Sequence, residues 1–423
     1  MDLNKILNNI KPTEEDKKRV YNIINKFFNI LKSNDLEPIL GGSFAKDTWI
    51  KTDFDIDTFI LFENEENMKK LENILKKENF NYEKIKGSRD YFRVLYEGYI
   101  FELVPILKIK NIEDAKNTTD LSPFHVIYVL DKIKNTDMND QIRLMKLFMK
   151  NIGVYGAESY IRGFSGYATE IITIYYKSFL NSIQNIDRWF PKVVIDIENY
   201  YRNIDEIKKN LTKDKLKSPV IIIDPTNKYR NIGASISIQK FSELIFYSRL
   251  FLNSDNKEEF FNKKFIKDYK DIENLTNKYN LNFLYINIEG NSNNKDIKFS
   301  KSLSLFLYIK KLISDFGIKI FNYYYNFDRD TFNGYILYYN NKLPEYEIKM
   351  GPLVWERNFF EKFYNKHKNE ELIIRNGKIC SITKRELNDI DDIIKYILTK
   401  YKNKIKQKSS KIYIKVNNKE FIL

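Results

Sequence analysis

One cysteine, Cys380, stands in 423 residues, so an internal disulfide framework is excluded and a reducing cytoplasm suits the chain. Histidine is almost as scarce, with only His125 and His367. On sequence alone His125 reads as a packing or hydrogen-bonding residue rather than a general base. No uninterrupted apolar run is long enough to span a bilayer, and the N-terminus shows no long apolar h-region. A soluble intracellular protein is therefore expected. Internal repeats and long linkers are missing too. What is present is apolar content of 43% with 15% aromatic, enough to build packed cores rather than a disordered chain. The length suggests roughly two to four domains. A formal charge of +14 points to a polyanionic partner, nucleic acid first.

The stretch Gly41–Phe59 carries the densest chemistry. A Gly-Gly-Ser turn follows the short apolar strand Pro38-Ile39-Leu40, and Ser43 is expected at a helix N-terminus, where free N–H groups favour phosphate. Next, Asp53, Asp55 and Asp57 alternate with Phe54, Ile56 and Thr58, which predicts a strand with its carboxylates on one side. Crowded carboxylates repel one another unless a cation sits among them, and hard oxygen ligands suit magnesium. A strand from Tyr99 to Leu107 is apolar except at Glu102, whose charge needs a metal or a basic partner. Three carboxylates on neighbouring strands, beside a phosphate cradle, make a site for phosphoryl or nucleotidyl chemistry. The spacing of Ser43 and Asp55 resembles the nucleotidyltransferase superfamily that includes DNA polymerase beta.

Elsewhere the pattern predicts a helix from about Thr13 to Leu31, opened by a Thr13/Asp16 capping box, then a helix over Glu66–Lys77 and a strand over Tyr91–Tyr96. Asn111–His125 reads as a polar connection. A helix from about Asp137 to Asn151 turns Ile142, Met145, Phe148 and Met149 inward. Arg143, Lys146 and Lys150 fall on its other face, ordinarily a solvated one, here also within reach of a triphosphate. After Arg162–Tyr167 one long helix is expected to about Leu180, then a buried strand Val220–Ile223, a turn from Asp224-Pro225, and a helix capped by Ser235 that ends near Asn253. The rest alternates strands and helices, as in an α+β domain that contacts RNA, and closes on a basic tail from Lys400 to Lys411.

Four blocks resemble the archaeal class of CCA-adding enzymes, which are tRNA nucleotidyltransferases. They are Gly42-Ser43 through Asp55-Ile56-Asp57; Glu102-Leu103-Val104-Pro105; Ser122-Pro123-Phe124-His125; and Leu144 to Tyr167, with Tyr155-Gly156-Ala157-Glu158 and Arg162-Gly163-Phe164-Ser165-Gly166-Tyr167. Asp224-Pro225 with Arg230-Asn231, and Gly351-Pro352, add support. The resemblance implies an α+β multidomain fold: a polymerase-beta-like nucleotidyltransferase domain over 1–134, a mostly helical domain over 135–253, and a C-terminal tRNA-binding region over 254–423. The activity it implies is template-independent addition of C, C and A to the 3′ end of tRNA from CTP and ATP, with Mg2+ as cofactor, cytoplasmic location and a homodimer.

Carried over residue by residue, Asp55, Asp57 and Glu102 match the catalytic, metal-binding carboxylates. Ser43 and Lys46 match positions that hold the nucleotide phosphates, Lys146 and Tyr155 lie near the triphosphate, and His125 is a further nucleotide-binding position. Arg230 matches the residue that hydrogen-bonds the incoming base. Lys46 stands where the family usually has Arg, and so keeps the charge without the bidentate fork. Asp55 replaces a Glu and Glu102 an Asp, two opposite shifts of one methylene. Leu121 replaces a common Arg. A poly(A) polymerase, an oligoadenylate or cyclic-dinucleotide synthase, or an inactive RNA-binding module on the same fold are the alternatives; a pure binder has no use for clustered carboxylates.

Overall fold

A computed structural model describes residues 2–423 apart from 88, 293, 329, 330 and 418. The chain divides into two compact units, the first ending at Ile266 and the second beginning at Lys267.

In the first unit, α1 (Leu3–Ile10) precedes α2 (Glu14–Ser33), whose start is fixed by the expected reciprocal bonds of Thr13 and Asp16. Val20, Ile24, Phe27 and Leu31 recur every three or four residues and are all buried, so α2 lays one face on a sheet. That sheet runs β1-β2-β5-β4-β3, from β1 (Glu37–Leu40), β2 (Ile56–Phe62), β3 (Asn81–Ile85), β4 (Tyr91–Tyr96) and β5 (Tyr99–Leu107). Between β1 and β2 lies the single turn of α3 (Gly42–Ala45), and α4 (Lys69–Lys77) joins β2 to β3. β2 and β5 are parallel and the other pairs antiparallel. Ile56 and Ile60 of β2, with Phe101 and Leu103 of β5, face α2 and share its core. The intervening residues Asp57 and Glu102 must then face the other way, and they are register partners across the strands. β2 opens only at Ile56, so Asp53 and Asp55 belong to the turn before it rather than to the expected alternating strand.

The expected polar connection before His125 is shorter than the sequence suggests: Pro123 at the first turn starts α5 (Ser122–Ile133), which puts His125 on a helix. α6 (Met138–Asn151), α7 (Gly166–Tyr176), α8 (Phe179–Ile186), α10 (Ile238–Asn253) and the short α11 (Glu259–Asn262) close around Phe148, Phe164, Phe179, Phe251 and Phe260. The long helix expected to Leu180 is two, because Lys177 turns left-handed at φ +68° and Ser178 caps α8. α9 (Ile204–Asn210) lies beside a small sheet of β6 (Val193–Ile195), β7 (Val220–Asp224) and β8 (Asn227–Asn231). The cap of α10 is Ser237, not Ser235.

The second unit holds an antiparallel sheet ordered β10-β11-β9-β15-β16: β9 (Asn282–Gly290), β10 (Ile320–Asp328), β11 (Thr331–Tyr338), β15 (Ser409–Val416) and β16 (Lys419–Ile422). α13 (Lys295–Asp315) and α15 (Ile390–Lys400) cover one face and α12 (Tyr269–Tyr279) the other. β12 (Tyr346–Leu353), β13 (Glu371–Arg375) and β14 (Lys378–Lys384) form a separate sheet beside α14 (Arg357–His367). The basic run near the C-terminus is not a free tail. It folds into α16 (Lys402–Lys406) and β15, with Ile405, Ile412 and Ile414 in the core and Lys404 and Lys411 outside.

Candidate active site

The turn from β1 into α3 and the first residues of β2 build one wall of a cleft. The Gly41 amide donates to the Asp57 carbonyl at 2.8 Å, clamping the turn to the strand. Gly42 has φ +55°, and a Cβ there would sit 1.5 Å from Asp57 Oδ2. The carboxylate therefore lies flat against a backbone that only glycine leaves room for. α5, α6 and α7 supply the opposite side, and the cavity of about 320 Å³ is lined by Ser43, Lys46, Asp57, His125, Lys146 and Tyr155 among others.

Asp55, Asp57 and Glu102 lie within electrostatic range of one another. Burial, then Glu102, then Asp55 push Asp57 up to about 7, against the pull of Lys46 and Lys146. Asp55 is also raised, by burial and by Glu102, with Arg93 opposing. Glu102 has found a basic partner, its Oε1 taking a bond from Arg93 Nη2 at 2.6 Å across β4 and β5. Among the described residues, no three His, Cys, Asp or Glu side chains gather tightly enough to hold a metal ion as they stand. The donor set nevertheless fits a divalent cation: all oxygen, mutually repelling, and with one member balanced by an exchangeable arginine. Asp53 stands apart, exposed and paired with Lys150 at 2.6 Å.

Of the three basic residues on the outer face of α6, Arg143 and Lys146 are buried rather than solvated, while Lys150 stays partly exposed. Arg143 is 1% exposed, donating to the Trp49 and Asp47 carbonyls and to the carboxylates of Asp47 and Asp140. Lys146 is 3% exposed and reaches Glu170 Oε1 at 2.7 Å and Thr48 Oγ1 at 2.9 Å. Lys46, from the end of α3, meets the other oxygen of the same carboxylate at 2.5 Å. Glu170 thus bridges two lysines from separate segments. Burial pushes it upward, but Lys146 and Lys46 prevail and hold it at about 2. Burial lowers Lys146 to about 8 against the support of Glu170. Tyr155, also lining the cavity, lies under Lys150 Nζ at 5.1 Å.

His125 and Arg230 meet at a second buried carboxylate. Asp224 Oδ2 lies 3.1 Å from His125 Nε2 and accepts from Arg230 Nη1 at 3.0 Å. Its Oδ1 accepts from the Thr226 amide and hydroxyl and from Tyr167. Burial raises Asp224, but His125 and Arg230 outweigh it and bring it to about 2. The His125 and Tyr167 rings stack with centroids 4.2 Å apart. Burial, partly offset by Asp224, lowers His125 itself. The hydrogen-bonding histidine read from the sequence is what stands here.

Of the expected residues, Ser43, Lys46, Asp57, His125, Lys146 and Tyr155 line the cavity. Asp55 and Glu102 flank Asp57, and Arg230 joins through Asp224 and His125. Sequence reasoning did not single out Glu170, Thr48, Arg93 or Tyr167, nor Asp224 as a site residue. The readable signal for Glu170 was a lone carboxylate among the buried positions Ala168, Ile171 and Ile172 of α7.

The family described as "Nucleotidyltransferase domain" matches residues 24–133, the part that carries the carboxylates. A magnesium- and 3′-dATP-bound Cid1 poly(U) polymerase structure is similar at a TM-score of 0.50 and 13% identity, over 62% of this chain and 97% of that one; at that identity the likeness concerns the fold alone. Fold and site define a nucleotidyltransferase with a polymerase-beta-like catalytic domain. "tRNA nucleotidyltransferase, second domain" matches residues 140–262 and "CCA-adding enzyme, C-terminal domain" residues 308–413. The CCA-adding enzyme of Nanoarchaeum equitans is 35% identical over 90% of this chain and 92% of its own, and that of Methanocaldococcus jannaschii 31% over 94% and 90%. The chain belongs to the CCA-adding enzyme family.

Proposed function

We propose that the protein adds the terminal C, C and A of tRNA from CTP and ATP without a nucleic-acid template. The observation that carries this reading is one cleft, in a chain of this family, with Asp57 and Glu102 paired on one side and the Lys46–Glu170–Lys146 cluster on the other. In the reaction the tRNA 3′-hydroxyl gives up its proton to water as its oxygen bonds to the α-phosphorus, the bond from that phosphorus to the bridging oxygen breaks, and pyrophosphate leaves with the electron pair. Asp55, Asp57 and Glu102 would hold the divalent cations, magnesium in this reading, with Glu102 exchanging Arg93 for the cation. Bound there, such ions lower the pKa of the attacking hydroxyl and offset charge on the phosphoryl group in transfer. Ser43, Lys46, Lys146 and Tyr155 grip the triphosphate. His125 and Arg230, fixed by Asp224, face the base.

Catalysis falls to residues 1–134, nucleotide and tRNA contacts to 135–266, because Phe260 and Phe261 pack into that core instead of lying past the expected boundary at 253, and tRNA binding to 267–423, in a cytoplasmic homodimer. The test is incubation with magnesium and tRNA that ends at its unpaired discriminator base, with products sized to one nucleotide. CTP alone should add two residues, and CTP with ATP three. Long adenylate tails from ATP alone would replace this reading with a poly(A) polymerase.

A further inference from the structure

Glu170 is fully buried at the edge of the cavity, and three polar side chains converge on it. Lys46 takes one oxygen at 2.5 Å; Lys146 and Thr48 share the other at 2.7 and 2.8 Å. Lys46 and Thr48 come from the segment after β1, whereas Lys146 and Glu170 come from α6 and α7. Two ammonium groups this close would repel strongly in a buried setting without the shared carboxylate. Lys46 gives Glu170 one of its three donors, Lys146 divides its own among Glu170 and the hydroxyl and carbonyl of Thr48, and both ammonium groups line the cavity together with Ser43.

We infer that Glu170 is a positioning residue: it holds the Lys46 and Lys146 ammonium groups as a fixed pair that receives the phosphates of the incoming nucleotide. This rests on the proposed role of those two lysines. Simple charge arithmetic argues against such a role, because deleting a carboxylate beside an anion site should tighten anion binding. The reverse follows if Glu170 keeps Lys146 charged. Burial and Lys46 both drive Lys146 toward its neutral form, Lys150 on its own helix adds to them, and Glu170 is the main opposing charge. Asp57 on β2 is the other carboxylate in electrostatic range. Tyr155 and Tyr167 also face Glu170, and burial raises both, so they stay neutral. Without Glu170, Lys146 sheds its proton at a lower pH, and one phosphate-binding charge disappears as pH rises.

Glu170→Gln keeps the shape and removes the charge. Binding of CTP, and of inorganic tripolyphosphate, is measured with the full chain at pH 6 and pH 7.5, both below the value of about 8 at which the wild-type Lys146 loses its proton. The variant should match the wild type within about twofold at pH 6 and bind about tenfold more weakly at pH 7.5, the loss expected for one charge-assisted contact. Equal weakening at both pH values would reduce Glu170 to a structural residue. Tighter or unchanged binding at both would leave charge cancellation only, and either result overturns the inference. If Glu170→Gln does not fold, Thr48→Val removes the hydroxyl bonded to both Glu170 and Lys146 and should show the same pH-dependent weakening, smaller in size. Wild-type protein that binds neither ligand at any pH overturns the proposed function itself.

Discussion

Replacing Gly42 by alanine tests the geometry on which the catalytic reading rests. The left-handed backbone at φ +55° costs a residue with a Cβ about 1–2 kcal/mol. The new methyl would lie 1.5 Å from Asp57 Oδ2, less than half a normal contact, so the carboxylate has to swing off its rotamer at about 1 kcal/mol more. Together these predict a loss of about 2–3 kcal/mol, or roughly 5–10 °C in melting temperature for a unit of this size. Activity should suffer far more, because misplacing a reacting group by about 1 Å costs roughly a hundredfold. Gly98 supplies the control: its φ is +83° but nothing lies within 4 Å of a Cβ there, so Gly98→Ala carries the backbone cost alone and should leave activity intact. The assay is single-turnover CTP addition to tRNA lacking its CCA, with tRNA affinity and melting measured in parallel. Wild-type turnover by a folded Gly42→Ala protein would refute the claim that the Asp57 carboxylate acts from its seat on Gly42.

The same carboxylate predicts a pH signature in metal-free protein. Because Asp57 is raised to about 7, its contribution to stability is complete below its unfolded value of 3.8 and is lost as pH rises through about 7. Melting temperature, measured in chelator, should fall over that interval and recover on adding magnesium or manganese, whereas Asp57→Asn should flatten both responses; a cation effect that persists in the variant removes Asp57 from the metal site. Asp224 has the opposite sign: held at about 2, it stabilises fully above 3.8 and loses that contribution as pH falls toward 2. Asp224→Asn should raise KM for both nucleotides and increase misincorporation, since Arg230 and His125 lose their shared anchor, and steady-state kinetics with CTP and ATP would show otherwise by giving wild-type values. tRNA affinity should fall steeply with salt, with a log–log slope of about −0.7 to −0.9 per phosphate neutralised; a flat response measured by anisotropy would remove the electrostatic surface.

Local signals carried much of the architecture. The Thr13/Asp16 box, the strands Tyr91–Tyr96 and Tyr99–Leu107 and the helix ending at Asn151 stand where periodicity and capping place them. No glycine or proline marks the break after Tyr176; Lys177 takes the left-handed turn and is tolerated there. The strands β13 and β16 are too short and irregularly patterned to show locally, and β15 lies hidden in a lysine-rich run whose apolar alternation (Ile412, Ile414, Val416) is legible only once β9 and β16 lie on either side.

By itself the sequence determined the chemical vocabulary: clustered carboxylates, a glycine turn, lysines and an aromatic-rich scaffold in the order of a known family. Which charges face which was decided only by tertiary structure. Arg143 and Lys146 sit at helical spacing that looks like a solvated face, and become buried because another segment packs over α6 and offers carbonyls and carboxylates to them. Pairing of this kind depends on residues far apart in the chain, Glu170 with Lys46, Arg230 with His125, Arg143 with Asp47, and no local pattern encodes it. The physical reason is that a charge can be buried only where a partner is delivered, and the delivery is made by the fold.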